Sequence, residues 1–196
     1  MSAPPAAASP WLRRWAHLIA PGGSVLDVAA GSGRHVRWLA GQGFAVTAID
    51  RDGAAMQALT DAAETIVADI ERDPWPLDGR SFDAVLVTNY LWRPLLPAIV
   101  AATGAGGVLL YETFAAGNES VGRPARPDFL LAPGELLGAV AGLRIVAYED
   151  GFLDDPDRFV QRIVAVREVG VGSPLRYQLA GHGRFGADAG SLESTG

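Results

Sequence analysis

Val25-Leu26-Asp27-Val28-Ala29-Ala30-Gly31-Ser32-Gly33-Arg34-His35, the stretch VLDVAAGSGRH at residues 25–35, decides how the rest of the chain is read. An apolar run holds one carboxylate and ends at two glycines a residue apart. Helical spacing then begins, with Val36 and Leu39 as the inward positions. Glycine admits positive φ and removes the Cβ that would hold a ligand off the backbone, and a following helix offers unpaired N–H groups. Any tight strand-to-helix turn can use glycine, so the meaning of this one depends on its surroundings.

Those surroundings repeat the pattern. A second apolar run, Ala45–Ile49, ends at Asp50; a third, Thr65–Ala68, ends at Asp69; a fourth spans Phe82–Thr88 and a fifth Gly107–Thr113. Leu143–Tyr148 and Val160–Val166 read as two more strands. Between them, helices are predicted from the Ser9-Pro10 start to Ile19, over Gly33–Gln42, around Met56 and Leu59, over Pro94–Ala102 and over Glu135–Val140. Strand and helix alternate and the strands are almost continuously apolar. This predicts a parallel sheet with helices on both faces, whose ligands bind at the carboxyl ends of the strands. Asp27 to Arg34, Asp50, Asp69, Asn89 to Arg93 and Glu112 to Phe114 then share one edge. A carboxylate at Asp50 suits ribose hydroxyls, and one at Asp69 suits the exocyclic amine of adenine. Each alone could be a helix-end or turn aspartate. The third glycine of a dinucleotide loop is Val36 here, and Asp27 would repel a phosphate. The edge therefore points to a nucleoside without pyrophosphate.

Composition bounds the rest. The chain has 196 residues, 49% hydrophobic and 19% charged, which suits one globular domain. It has no cysteine, so disulfides and thiolate metal sites are excluded. His17, His35 and His182 lack metal-ligand spacing and read as ordinary surface or partly buried residues. The net charge of −6 argues against nucleic acid as a partner. No apolar run approaches the ~20 residues that span a bilayer, and the Pro/Ala-rich start lacks a basic n-region. The expectation is a cytoplasmic protein, monomeric or weakly dimeric. Residues 1–8 are expected to be a flexible lead-in, 9–170 the domain and 171–196 a mostly flexible tail.

VLDVAAGSGR (25–34), VTAIDRD (46–52), IVADIE (66–71) and FDAVLVTNYL (82–91) together resemble the four successive cofactor motifs of class I S-adenosylmethionine-dependent methyltransferases. The resemblance runs from about Ser9 to Glu168. It implies a Rossmann-like, doubly wound sheet of seven strands, mostly parallel, with an antiparallel C-terminal hairpin and helices on both faces. It implies S-adenosyl-L-methionine as cofactor. Asp27, Ala29, Gly31 and Gly33 would contact the methionine part, Asp50 the ribose with Arg51 beside it, and Asp69 and Ile70 the adenine. Thr88, Asn89 and Tyr90 would face the methyl group. The family often has glycine where this chain has Ala29, so a positive φ there would cost affinity. TNYLWRPLLP (88–97) and ETFAAGNESVGRPARPDFLLAPGELL (112–137) resemble small tellurite-resistance-type and thiopurine-methyltransferase-like bacterial proteins.

Methyl transfer from a sulfonium is an in-line displacement, and alignment supplies much of its rate. The acceptor pocket is expected over strands four and five, among Asn89, Tyr90, Trp92, Arg93, Glu112 and Phe114. The loop beyond adds Asn118, Glu119, Arg123, Arg126 and Asp128. Arg123 and Arg126 could clamp an anionic acceptor, or pair with Glu119 and Asp128 in solvent. Asn89, Tyr90, Arg123 and Arg126 are the catalytic candidates. Trp11 and Trp15 either cap the pocket or pack on the sheet, and His35 is expected to point away from the acceptor. The expected function is methyl transfer to a small molecule through a thiol, oxyanion or hydroxyl. The alternatives are a non-catalytic nucleoside-binding regulatory module and an RNA methyltransferase. The latter would carry an Asn/Asp-Pro-Pro-aromatic run where this chain has Thr88-Asn89-Tyr90-Leu91.

Overall fold

The run after Gly23 forms a strand, β1 (Ser24–Val28), and in the computed structural model, which describes residues 7–170 and 175–179, it is the third strand of a seven-stranded sheet. The others are β2 (Ala45–Asp50), β3 (Glu64–Val67), β4 (Phe82–Thr88), β5 (Thr103–Phe114), β6 (Arg144–Asp154) and β7 (Asp157–Val166), in the order β3-β2-β1-β4-β5-β7-β6. β3, β2, β1, β4 and β5 are parallel, whereas β7 runs antiparallel to both β5 and β6. The Rossmann-like arrangement with its C-terminal hairpin is therefore as the resemblance implied. The chain winds outward from β1 to β3 and returns to β4 on the other side of β1. That reversal opens a crevice at the carboxyl ends of β1 and β4. The expectations for residues 1–6, 171–174 and 180–196, His182 included, lie outside the described residues.

The helices are α1 (Pro10–Trp15), α2 (Arg34–Gly41), α3 (Gly53–Gln57), α4 (Leu96–Ala101) and α5 (Glu135–Ala139). Several are shorter than their apolar spacing predicts. α1 tightens into a 3₁₀ turn at Ala16–Leu18, and a 3₁₀ turn at Arg93–Leu95 precedes α4. Leu59, expected on the third helix, follows α3 and is fully buried from a turn. The last strands are longer than expected, because β6 and β7 stay paired as far as Asp154 and Asp157.

Alternation on β1 sends Val25 into the core under α1 and α2 and Leu26 into the core on the other face. Asp27 therefore points to the face of α2. Trp11 and Trp15 are 2% and 1% exposed in that first core, with ring centroids 5.6 Å apart. They pack α1 on the sheet and do not cap a pocket. Among the described residues no helix is long and apolar enough to cross a membrane.

Candidate active site

The glycine loop is shaped as much by packing as by any ligand. Gly31 has φ 54° and Gly33 φ 77°. A Cβ on Gly33 would collide with the side chain of Leu59, whereas one on Gly31 would meet open space. Gly33 thus lets α2 settle on the turn after α3, and Gly31 leaves the backbone approachable. Ala29 has φ 56°, the left-handed conformation that costs an alanine ~1–2 kcal/mol.

Asp50 ties this loop to its own strand end. Its Oδ2 accepts from the Gly31 N–H at 2.9 Å and its Oδ1 from the Asp52 N–H at 2.9 Å. Asp52 caps α3 through the N–H groups of Ala54 and Ala55. Beside Asp50 opens a cavity of ≈ 270 Å³, lined by Ala29, Asp50, Arg51, Ala68, Asp69, Ile70, Glu71 and Tyr90. Of the residues singled out at the strand ends, Ala29, Asp50, Arg51, Asp69, Ile70 and Tyr90 line this one space, whereas Asp27, Gly31, Gly33, Thr88 and Asn89 do not. Asp69 is partly held by its own turn, accepting from the Glu71 N–H at 3.2 Å.

Tyr90 faces this cavity. Its hydroxyl is buried with no hydrogen-bond partner, and burial with the Glu71, Asp69 and Asp50 charges drives its pKa well up, so it remains a donor. Its carbonyl accepts from the Tyr111 hydroxyl at 2.9 Å. The preceding Asn89 has φ 54°, and its N–H donates to the Glu112 carbonyl at 2.9 Å.

Below the loop, Asp27 and His35 are 1% and 2% exposed. His35 Nδ1 shares a 3.2 Å hydrogen bond with Thr88 Oγ1 and lies 3.9 Å from Asp27 Oδ2. The expectation that His35 is an ordinary histidine is overturned: it is locked beneath the β1–β4 crevice. Its i, i+4 relation to the buried Leu39 was the available signal.

The residues expected to make the acceptor pocket are mostly committed to structure. Arg93 donates from Nε and Nη2 to the two Glu135 oxygens at 2.7 and 2.9 Å and also reaches the carbonyls of Asp128 and Leu130. Glu112 is 1% exposed, takes the Ser9 hydroxyl at 3.0 Å, and lies 3.5 and 3.9 Å from the Arg162 and Arg158 guanidinium groups. Neither residue lies open to an acceptor as expected, because each is a strut between elements. Asn118 ties the loop to Pro124 and Phe159, and Glu119 accepts from the Gly117 N–H. Arg126 pairs with Asp128 at 2.7 Å and covers the Phe129 ring, while Arg123 is exposed without a hydrogen bond or ion pair among the described residues. Neither arginine lines the cavity. Sequence reading missed Arg158, whose Nε is buried without a hydrogen-bond partner. The signal was its place with Val160 and Arg162 at alternate positions on one strand face.

Among the described residues no group of three His, Asp or Glu side chains is placed to hold a metal. Residues 25–105 match the family model described as a methyltransferase domain. No curated protein sequence matches the chain. Among solved structures, TehB from Haemophilus influenzae is similar at 22% identity and TM-score 0.62, over 78% of this chain and 59% of that one. A TehB-like SAM-dependent methyltransferase from Corynebacterium glutamicum is 23% identical with TM-score 0.58, over 79% of this chain and 86% of that one. A SAM-dependent methyltransferase from Methanosarcina mazei is 15% identical with TM-score 0.65, over 84% of this chain and all of that one. The match thus spans less than two thirds of the Haemophilus protein.

Proposed function

We propose, from its matched domain and its fold, that the chain is a class I S-adenosylmethionine-dependent methyltransferase and that it methylates a small molecule through a thiol, oxyanion or hydroxyl. The observation that carries the reading is the cavity at the strand ends, where Asp50, Asp69 and Tyr90 meet around a space of ≈ 270 Å³. Its lining suits a nucleoside: two carboxylates to accept hydroxyl and amine protons, Ile70 and the Tyr90 ring as apolar walls. Among the described residues that line it, Arg51 is the only cation against Asp50, Asp69 and Glu71, a balance unfit for a phosphate.

The residues present fit the cofactor. Gly31 leaves backbone open to it, and Asp27 has two buried oxygens without partners on the same strand edge. When bound, S-adenosylmethionine supplies a methyl group on a sulfonium. Asp50 would hold the ribose, Asp69 and Ile70 the adenine, and Asp27, Ala29, Gly31 and Gly33 the methionine part. Thr88 and Asn89, at the end of β4, would line the methyl side. Tyr90, whose hydroxyl is near Asp69 and Glu71, would act from the nucleoside side. The acceptor would enter over Asn89, under the loop bearing Arg123 and Arg126. Arg123 is the cation of that loop left available to an anionic acceptor.

Calorimetric titration with S-adenosylhomocysteine tests the cofactor part. Asp50→Ala should weaken binding about tenfold or more, the ~1.4 kcal/mol or above expected for hydrogen bonds to a charged acceptor. Unchanged affinity removes Asp50 from the ribose. The acceptor is sought by following S-adenosylhomocysteine release over a panel of thiols, oxyanions and phenols. Arg123→Ala combined with Arg126→Ala should raise KM for anionic acceptors alone.

A further inference from the structure

β6 ends the sheet, beyond β7, and its outer edge is unpaired. No backbone–backbone hydrogen bond links Arg144–Asp154 to any described residue outside the β6–β7 ladder. The strand is 11 residues long. A long unpaired edge presents a row of N–H and C=O groups to any strand that can match it. β6 also carries two exposed large apolar side chains, Ile145 at 42% and Phe152 at 48%. Single exposed apolar residues are ordinary on a protein surface. What sets these two apart is where they stand on the edge.

The register with β7 fixes their faces. Ile145, Tyr148, Asp150 and Phe152 stand opposite Ala165, Ile163, Gln161 and Phe159, so all four share one face of the sheet. Ile145 joins that face because β6 holds one extra residue, Val146, at a bulge between Ile145 and Ala147. An antiparallel copy of β6 can be laid along this edge about a two-fold axis at Glu149. Tyr148 then stands opposite Asp150 of the second copy, and Ala147 opposite its Gly151. The bulge shifts the count by one, so Ile145 stands opposite Phe152. Every one of these pairs has both members on one face, and the axis repeats each of them. The ends also match in charge. Arg144, which has Glu168 of its own chain at 3.6 Å, is carried towards the hairpin end of the second copy, where Asp154, Asp155 and Asp157 lie. The two Glu149 carboxylates approach at the axis, and each is already paired with Arg14 from α1 and Arg162 from β7.

We propose that the β6 edge is an association surface for a second copy of this chain, joined by antiparallel β6–β6 pairing into one continuous sheet through both copies. The partner is a second copy because the apolar, small and charged positions of β6 complement one another in this one register. The cavity at the ends of β1 to β4 lies on the far side of the sheet from β6, so the association leaves it open. One strand pair makes a small interface, and the dimer forms and dissociates with concentration. The proposal does not depend on what the chain methylates.

Sedimentation equilibrium of the full chain tests it. The mean mass should climb from that of one chain towards that of two as concentration rises from about 1 to about 500 µM, the span a weak homodimer occupies. Ile145→Lys and Phe152→Glu alter exposed positions, and each alone should weaken association about tenfold or more. Combined in one chain they should restore it, because the introduced cation of one copy then faces the introduced anion of the other. That restored dimer should weaken in high salt. Val67→Lys, on the opposite edge strand β3 where Val67 is 59% exposed, is the control and should leave the mass unchanged. S-adenosylhomocysteine affinity should be the same in all these β6 variants. A chain that stays monomeric at the highest concentration overturns the proposal. So does a dimer that survives both single substitutions, fails to return in the double variant, or is lost in Val67→Lys. A monomer whose β6 amides resist hydrogen exchange at every dilution has its edge covered by another part of the same chain, and also overturns it.

Discussion

Asp27 is buried with neither carboxyl oxygen hydrogen-bonded, which carries a cost. A carboxyl whose folded-state pKa is raised binds its proton in the native state after the unfolded chain has lost its own. Its contribution to stability is present below the ordinary carboxylate range and is lost as pH rises toward about 8. His35, held down near 4, works in the opposite sense between about 4 and its ordinary value of 6.5, and has no further effect above that. The two cancel in the acid range, and the Asp27 effect stands alone above it. Chemical denaturation of the free protein should show stability falling by about 1–2 kcal/mol between pH 6.5 and pH 8. Asp27→Asn should abolish that slope while weakening the cofactor; a slope that survives the substitution assigns the effect elsewhere. Ala29 carries a second cost. With φ 56° it sits where glycine would be free of strain, so Ala29→Gly should raise stability by up to about 1 kcal/mol after the unfolded-state entropy is subtracted. Gly33→Ala should do the reverse by more than 1 kcal/mol, because its Cβ has nowhere to go but into Leu59.

At the scale of elements, the acceptor side depends on how one long loop is held. Residues 115–131 make two 3₁₀ turns and return to the strand end through a bridge between Ala115 and Leu131. Arg93, just before α4, clamps that return by its bonds to Glu135 and to the carbonyls of Asp128 and Leu130. Arg93→Ala should speed proteolytic cleavage within 115–131 several-fold while leaving cofactor affinity in place. Equal cleavage rates would show that the loop is held by its own turns. α1 plays a comparable part on the other face. Ser9 caps it and donates to buried Glu112, and Trp11 and Trp15 nail it to the sheet. Trp15→Ala should cost about 3–5 kcal/mol in denaturant unfolding.

At the scale of the whole molecule, winding outward from β1 and returning at β4 collects residues far apart in sequence on one edge. The period of the apolar runs, the glycine turn and the acids closing the strands were enough to read that topology and the acids gathered at its edge. These are local signals: a buried parallel strand must be apolar, and a residue just after it must lie at the edge. Asp50, Asp69 and Ile70 were legible for that reason. The direction in which Tyr90 turns, the locking of Arg93 and Glu112, and the burial of His35 were not. Each depends on a partner many positions away, Asp69, Glu135, Arg162 or Thr88, and no local pattern encodes it. The sequence by itself determined the sheet, its winding and the edge on which Asp50 and Asp69 meet, because those follow from periodicity and chain connectivity. Only the tertiary structure decided which polar side chains are left unpaired for a ligand, because pairing is a matter of distance between elements that only packing brings together.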